Sequence, residues 1–257
     1  MGKTIGVLSL KGGVGKTSSV VALGDAISGF GKKVLLIDGN LSAPNLGLHL
    51  NLLELPTLHH VLSRRVNIRD SIHRLENFDV IPSSILYGTK LNPLELKDRI
   101  KPLKKRYDAI IIDSSPSLNE ETLAVMLASD GIVIVTTPDI PSLSMAMKAI
   151  KLARQRDISI MGLILNKVHN KYFDLSFEEI EDTLGVPILA VIPYDIDVQK
   201  SLYEFMPSTQ YNPNSNASKE YKKLAGILVG EKYNPFSFRE FFKIPPKRED
   251  INREIYY

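Results

Sequence analysis

The chain contains no cysteine. Without thiols it can build no disulfide, no thiol nucleophile, no Cys-bound zinc and no Cys-ligated iron–sulfur cluster. It also lacks any apolar run near the roughly 18 residues that a membrane helix needs. The first apolar stretch is interrupted at Lys11, which is too early for a signal peptide, so a cytoplasmic location is the default expectation. Excess charge is small: 32 Lys and Arg against 29 Asp and Glu leave a net +3. That balance argues neither for nor against nucleic acid. Glycine and proline, 16 and 15 residues in 257, are too few for a low-complexity chain, and a folded globular protein is expected.

What is present is a rhythm of short Val- and Ile-rich runs separated by helix-length amphipathic stretches. The pattern predicts strands at Thr4–Leu10, Lys33–Asp38, Phe78–Pro82, Ala109–Asp113, Gly131–Thr137, Met161–Asn166 and Ile188–Pro193. Runs such as Val34-Leu35-Leu36-Ile37 and Ile110-Ile111-Ile112 do not alternate apolar with polar residues. Continuous apolarity means that both faces are covered, as in parallel strands between helices. The expected fold is therefore α/β and doubly wound, with a mostly parallel sheet of seven or eight strands flanked by helices. Helices are predicted over Thr17–Phe30, with Gly31 as its C-cap, and over Ala217–Gly230. Residues 1–230 form one domain in this reading, and Glu231–Tyr257 is a separate tail.

Between the first strand and the first helix lies Leu10-Lys11-Gly12-Gly13-Val14-Gly15-Lys16-Thr17. The glycines let the backbone bring its N–H groups close to a phosphate chain, and the helix start adds the positive end of its dipole. This is the pattern of a P-loop of the ATPase type. Gly12, Gly13, Val14, Gly15, Lys16, Thr17 and Ser18 are expected to line the nucleotide site. Lys16 reaches the β- and γ-phosphates and the Thr17 hydroxyl ligates Mg²⁺. The usual first glycine of the motif is replaced by Leu10, with Gly12 and Gly13 supplying the flexibility. Asp38 and Asp113 each end an apolar strand at the carboxyl edge, where open α/β sheets bind ligands, and are candidate Mg²⁺ ligands, directly or through water.

The second lysine, Lys11 in Lys-Gly-Gly-Val-Gly-Lys-Thr, resembles the deviant Walker A loop of the MinD/ParA ATPases, and the resemblance runs over roughly residues 1–230. Leu35-Leu36-Ile37-Asp38 looks like the family's second acidic strand, and Pro44-Asn45-Leu46-Gly47-Leu48 like the switch I stretch of its MinD branch. Tyr107 through Asp113 looks like its Walker B strand. Leu165-Asn166-Lys167 and Ile192-Pro193-Tyr194-Asp195 match its adenine-side segments, whereas Ser114-Ser115-Pro116-Ser117-Leu118 is closer to the ParA branch. The resemblance implies ATP and Mg²⁺ as cofactors, a homodimer in the ATP state and a recruited or activating partner protein. It further implies that Lys11 crosses the dimer interface to the other subunit's phosphates. It places Asn166, Lys167, Pro193 and Asp195 around the base, with Asn166 reading the adenine edge.

The family usually carries a second Asp two residues after the position of Asp38, where it helps activate the attacking water. This chain has Asn40 there. An amide accepts a hydrogen bond from water but takes up no proton, so Asn40 is expected to act in catalysis with slow hydrolysis. Arg99–Arg106 holds five basic residues and offers either a non-specific DNA surface of the ParA kind or a solvated helix end. The five histidines show no metal spacing, and the adjacent His59 and His60 are expected to point apart on a helix. In the tail, Phe238, Phe241 and Phe242 fall at i, i+3 and i+4. This aromatic face resembles the membrane-targeting helix that ends MinD proteins, and docking back onto the body is the alternative. The expected function is an ATP-dependent dimerisation switch in spatial positioning. A scaffold with negligible turnover and a Walker-motif tyrosine kinase, suggested by Tyr256-Tyr257, are the alternatives. Cluster carriers with a related loop need cysteines that this chain lacks.

Overall fold

A computed structural model describes residues 2–52, 55–87, 91–169 and 176–231. The tail beyond 231, with Phe238, Phe241 and Phe242, lies outside them, as do Tyr256-Tyr257. The strands are β1 (Lys3–Leu8), β2 (Val34–Asp38), β3 (His73–Arg74), β4 (Asp79–Ile81), β5 (Ala109–Asp113), β6 (Gly131–Thr136), β7 (Ile160–Val168) and β8 (Ile188–Pro193). They form one sheet in the order β3-β4-β2-β5-β1-β6-β7-β8. Every pairing is parallel except that of β3 with β4. The α-helices are α1 (Lys16–Ser28), α2 (Leu46–His49), α3 (Leu58–Leu62), α4 (Leu96–Ile100), α5 (Glu120–Ala128), α6 (Ile140–Gln155), α7 (Phe177–Leu184), α8 (Ile196–Tyr203), α9 (Ser208–Tyr211) and α10 (Asn216–Val229).

The unbroken apolar runs divide between two cores. Leu35, Ile37, Ile110 and Ile112 pack with residues of α3 to α7, whereas Val34, Leu36, Ala109 and Ile111 pack with α1 and α10. Period-two side chains thus meet helices on both faces, which is why these strands contain no polar position until their ends. Each fully buried Leu or Ile contributes about 1.5–3 kcal/mol. Neighbouring strands β1 and β5 send their chains to opposite sides, β1 through α1 to β2 and β5 through α5 to β6. A crevice opens above such a divergence, and the functional residues gather there.

Several boundaries differ from expectation for local reasons. β1 stops at Leu8, because the Ser9 hydroxyl accepts from the Lys11 N–H at 3.2 Å and donates to the Lys11 carbonyl at 3.0 Å. This closes the chain into the loop two residues early. α1 ends at Ser28, and its last turn tightens to three-residue bonds, Phe30 N–H to Ile27 and Gly31 N–H to Ser28. Gly31 (φ +72°) reverses the chain without being the cap itself. β7 continues to Val168. The two-residue β3, too short for a periodic signal, covers the edge of β4. His59 and His60 bond different groups, His59 Nδ1 accepting from the Ser84 N–H at 3.0 Å and His60 Nδ1 meeting the Thr57 hydroxyl at 2.9 Å. The Tyr87 ring, arriving from a loop, meets both at centroid distances of 5.0 and 5.3 Å. In the basic run, Arg99 pairs with Glu95 and Lys104 with Asp130, so two of its five cations are engaged.

Candidate functional site

The loop leaving β1 turns into α1 at Gly15, whose φ is +91°. A Cβ there would lie 2.3 Å from the amide nitrogen of Asn166, so the glycine is required by both conformation and space. Asn166, at the carboxyl end of β7, donates that amide to the Val14 carbonyl at 2.7 Å, and Lys167 Nζ donates to the Gly13 carbonyl at 2.7 Å. The strand end therefore pins the loop from outside. The adenine-reading role inferred for Asn166 has to share the side chain with this bond.

Lys16 and Thr17, the first residues of α1, both point at Asp113. Lys16 Nζ forms an ion pair with one carboxylate oxygen, and Thr17 Oγ1 donates to the other at 2.6 Å. Asp38 sits opposite Asp113 in the β2–β5 register, and both are fully buried. One oxygen of Asp38 accepts from the Asn40 N–H at 3.1 Å. The other accepts from the Asn45 and Leu46 N–H groups at 3.1 and 3.0 Å and so caps α2. Burial, reinforced by the neighbouring Asp113 charge, pushes the Asp38 carboxyl up to about 7 against these hydrogen bonds. Two adjacent buried carboxylates with one lysine form a site short of positive charge. Their oxygens and the Thr17 hydroxyl are hard donors of the kind Mg²⁺ takes, so Thr17, Asp38 and Asp113 fit as the residues that would hold it.

The pocket above this cluster has a volume of about 370 Å³, within the range of small-molecule sites. Gly12, Gly13, Val14, Gly15, Lys16, Thr17 and Ser18 line one wall, as the loop sequence predicts. Asn40, Asn166, Lys167, Pro193 and Asp195 border it as well. Asn45, His49, Pro116, Tyr194, Val198, Gln199 and Leu202 also line it, without having been proposed as site residues from the sequence. Asn45 and Tyr194 stood inside recognisable motifs. Val198, Gln199 and Leu202 come from α8, whose position follows from Asp195 capping it through the Asp197 N–H at 2.9 Å. Burial holds His49 below the usual histidine range, with Asp113 and Lys16 as its charged neighbours pulling in opposite directions.

Two predicted catalytic residues are turned to other partners. Both ends of the Asn40 amide bond the backbone of Ala43: the nitrogen donates to its carbonyl, and the oxygen accepts its N–H at 3.3 Å. Lys11 borders the pocket, but its Nζ bonds Asp139 at 3.0 Å and Ser142 at 2.7 Å, at the start of α6 in the same chain. Although burial raises the Asp139 carboxyl, hydrogen bonds from Thr137, Ser142 and Lys11 hold it well below the usual range.

A glycine-rich loop whose lysine and hydroxyl meet one strand-end carboxylate beside a second has the donors that the phosphate end of a nucleotide site requires. An AAA-domain family model matches residues 2–161, and a ParA model, described as the NUBPL iron-transfer P-loop NTPase, matches residues 103–229. The septum site-determining protein MinD of Thermotoga maritima is 32% identical over 243 residues, spanning 90% of this chain and 89% of that one. The chain belongs to the MinD/ParA family of P-loop ATPases. Its fold matches MinD of Pyrococcus horikoshii, solved with Mg-ADP, with a TM-score of 0.84 and 33% identity over 89% of this chain and 96% of that one. It also matches an Aquifex aeolicus MinC:MinD complex with a TM-score of 0.82 and 25% identity, over 96% of this chain and 99% of that one. Nucleotide and Mg²⁺ use in the family agrees with the oxygen donors found here. The iron-transfer description of the second model finds no thiol ligands in this cysteine-free chain. No described helix is long and apolar enough to cross a membrane.

Proposed function

We propose that this chain is a slow ATP-hydrolysing switch of the MinD/ParA type. It binds ATP with Mg²⁺, pairs with a second copy while ATP is bound, and engages a partner or surface to position a cargo. Hydrolysis then releases it. The observation that carries this reading is that Lys16 and Thr17, which line one pocket above the β1/β5 divergence, both bond Asp113, with Asp38 opposite it in the sheet register. Lys16 neutralises phosphate charge, and Mg²⁺, held by Thr17 and the carboxylates, would supply further electrostatic stabilisation of the transferred group. Lys11 has to leave Asp139 before it can reach across to another subunit. Slow turnover follows from Asn40, whose amide is occupied by Ala43 and binds no proton.

The test joins binding, assembly and chemistry. Calorimetry with Mg-ATP, light scattering for the dimer and phosphate release should all be positive for the full chain and negative for Lys16→Ala with its fold retained. Radiolabelled ATP should leave no label on the protein, since transfer to a tyrosine would make it a kinase. Co-sedimentation with ATP, run separately on anionic vesicles and on non-specific DNA, then identifies the surface. Binding to vesicles that is lost on deleting residues 232–257 would assign the membrane role to Phe238, Phe241 and Phe242.

A further inference from the structure

Glu121 is a buried carboxylate that the nucleotide chemistry above does not use. It stands in the first turn of α5, where an acid suits the helix dipole, but the exposed Glu120 beside it already meets that need. One Glu121 oxygen accepts the Ser42 hydroxyl, and the other is sealed from solvent with no hydrogen-bond partner among the described residues. A buried acid with a single neutral donor costs stability, which points to a use for that one contact. Ser42 belongs to the loop between β2 and α2, which borders the pocket through Asn40 and Asn45. The same loop starts against α5, because a Cβ on Gly39 would meet Val125 Cγ2 at 2.7 Å. The first turn of α5 also grips the loop that follows β5. The Thr122 hydroxyl donates to the Ser117 carbonyl at 2.6 Å, with the Ser115 carbonyl at 3.1 Å, and Pro116 between them borders the pocket. One helical turn thus holds two separate pocket loops.

We propose that Glu121 is a positioning residue for ATP hydrolysis: through Ser42 it ties the Asn40 loop to α5, and through the same helical turn to residues 114–118, so that the two loops move together when the pocket fills. Thr122 by itself fixes only the second loop. The Ser42 bond is what brings the first under the same control. Cutting it leaves Lys16, Thr17 and the glycines of the phosphate loop untouched, so ATP still binds. What is lost is the placement of the residue-40 loop during turnover, and phosphoryl transfer depends mainly on such placement. The inference rests on the hydrolysis reading above.

Two measurements on the full chain test it. Ser42→Ala removes the donor at an exposed residue, where the fold should survive the truncation. With Mg-ATP it should lower kcat by about 10-fold, less than the roughly 10²-fold that a 1 Å misplacement can cost, with KM and calorimetric affinity unchanged. Glu121→Ala should lose the same factor, and the double variant no more than either, because the two side chains act through one bond. Glu121→Gln keeps an acceptor for the Ser42 hydroxyl and should recover most of the rate. In hydrogen exchange of the nucleotide-free chain, Ser42→Ala should speed the backbone amides of residues 39–46 and also those of 114–122. An unchanged kcat, a loss shared with ATP affinity, losses that add in the double variant, a Glu121→Gln no faster than Glu121→Ala, or faster exchange confined to residues 39–46 would overturn the assignment. A wild-type chain that binds ATP and releases no phosphate overturns the hydrolysis reading with it. Phosphate release as fast in Ser42→Ala as in the parent overturns Glu121 alone.

Discussion

Asp38 does two things with its two oxygens: one anchors the Asn40 amide, and the other caps α2. Burial makes its charged form costly. An ordinary Asp titrates near 3.8, and this one is pushed up to about 7. The folded chain therefore binds a proton between those values, so this group's contribution to stability is full below 3.8 and is lost as pH rises through about 7. Asp38→Asn keeps an acceptor for the α2 amides and removes the charge. Nucleotide-free Asp38→Asn should melt higher than the parent at about pH 8, with the gap closing as pH falls, in melts without Mg²⁺. The same variant should bind Mg-ATP more weakly in calorimetry. At residue 40, Asn40→Asp should raise turnover by up to about 10²–10⁴-fold, as positioned proton transfer does. A phosphate-release rate no higher than the parent's would show that residue 40 is not limiting.

Among the elements, the loop between β1 and α1 owes its shape to the end of β7 as much as to its own glycines. Asn166 and Lys167 both bond loop carbonyls, and Asn166 stands where any side chain at residue 15 would have to go. Gly15→Ala should therefore cost about 1–3 kcal/mol from the left-handed backbone alone. It should also abolish ATP binding, because the loop must open to admit the methyl group. Thermal melts and calorimetry check the two parts, and retained affinity would show that the loop rearranges freely. This dependence was illegible in the chain. Asn166 and Gly15 are 151 positions apart, and no local pattern records that a strand end will touch a distant loop. The strands themselves were legible, because two-sided burial leaves continuous apolar runs such as Ile110-Ile111-Ile112.

At the scale of the whole molecule, Lys11 is held within its own chain by Asp139 and Ser142, the contact that the proposed pairing with a second copy would have to break. Lys11 is partly exposed, and so is Asp139, so their ion pair contributes little to stability and yields readily to a phosphate. Lys11→Ala should leave ATP affinity and melting temperature close to the parent's while removing the ATP-dependent dimer and most turnover. Light scattering with Mg-ATP checks this, and an undiminished dimer would take Lys11 out of any cross-subunit role.

Sequence alone determined the doubly wound class, the phosphate loop and the two strand-end carboxylates. Those depend on period, on glycine and lysine at fixed spacing, and on where an apolar run stops, all of which are local. Tertiary structure decided the rest: that Asn166 holds the loop, that Asn40 bonds Ala43, that Lys11 lies on Asp139, and that His49 borders the pocket. Each of these depends on which side chains a sheet order of β3-β4-β2-β5-β1-β6-β7-β8 brings to one crevice or on how a loop folds back on itself. Neither leaves a mark in the spacing of residues along the chain.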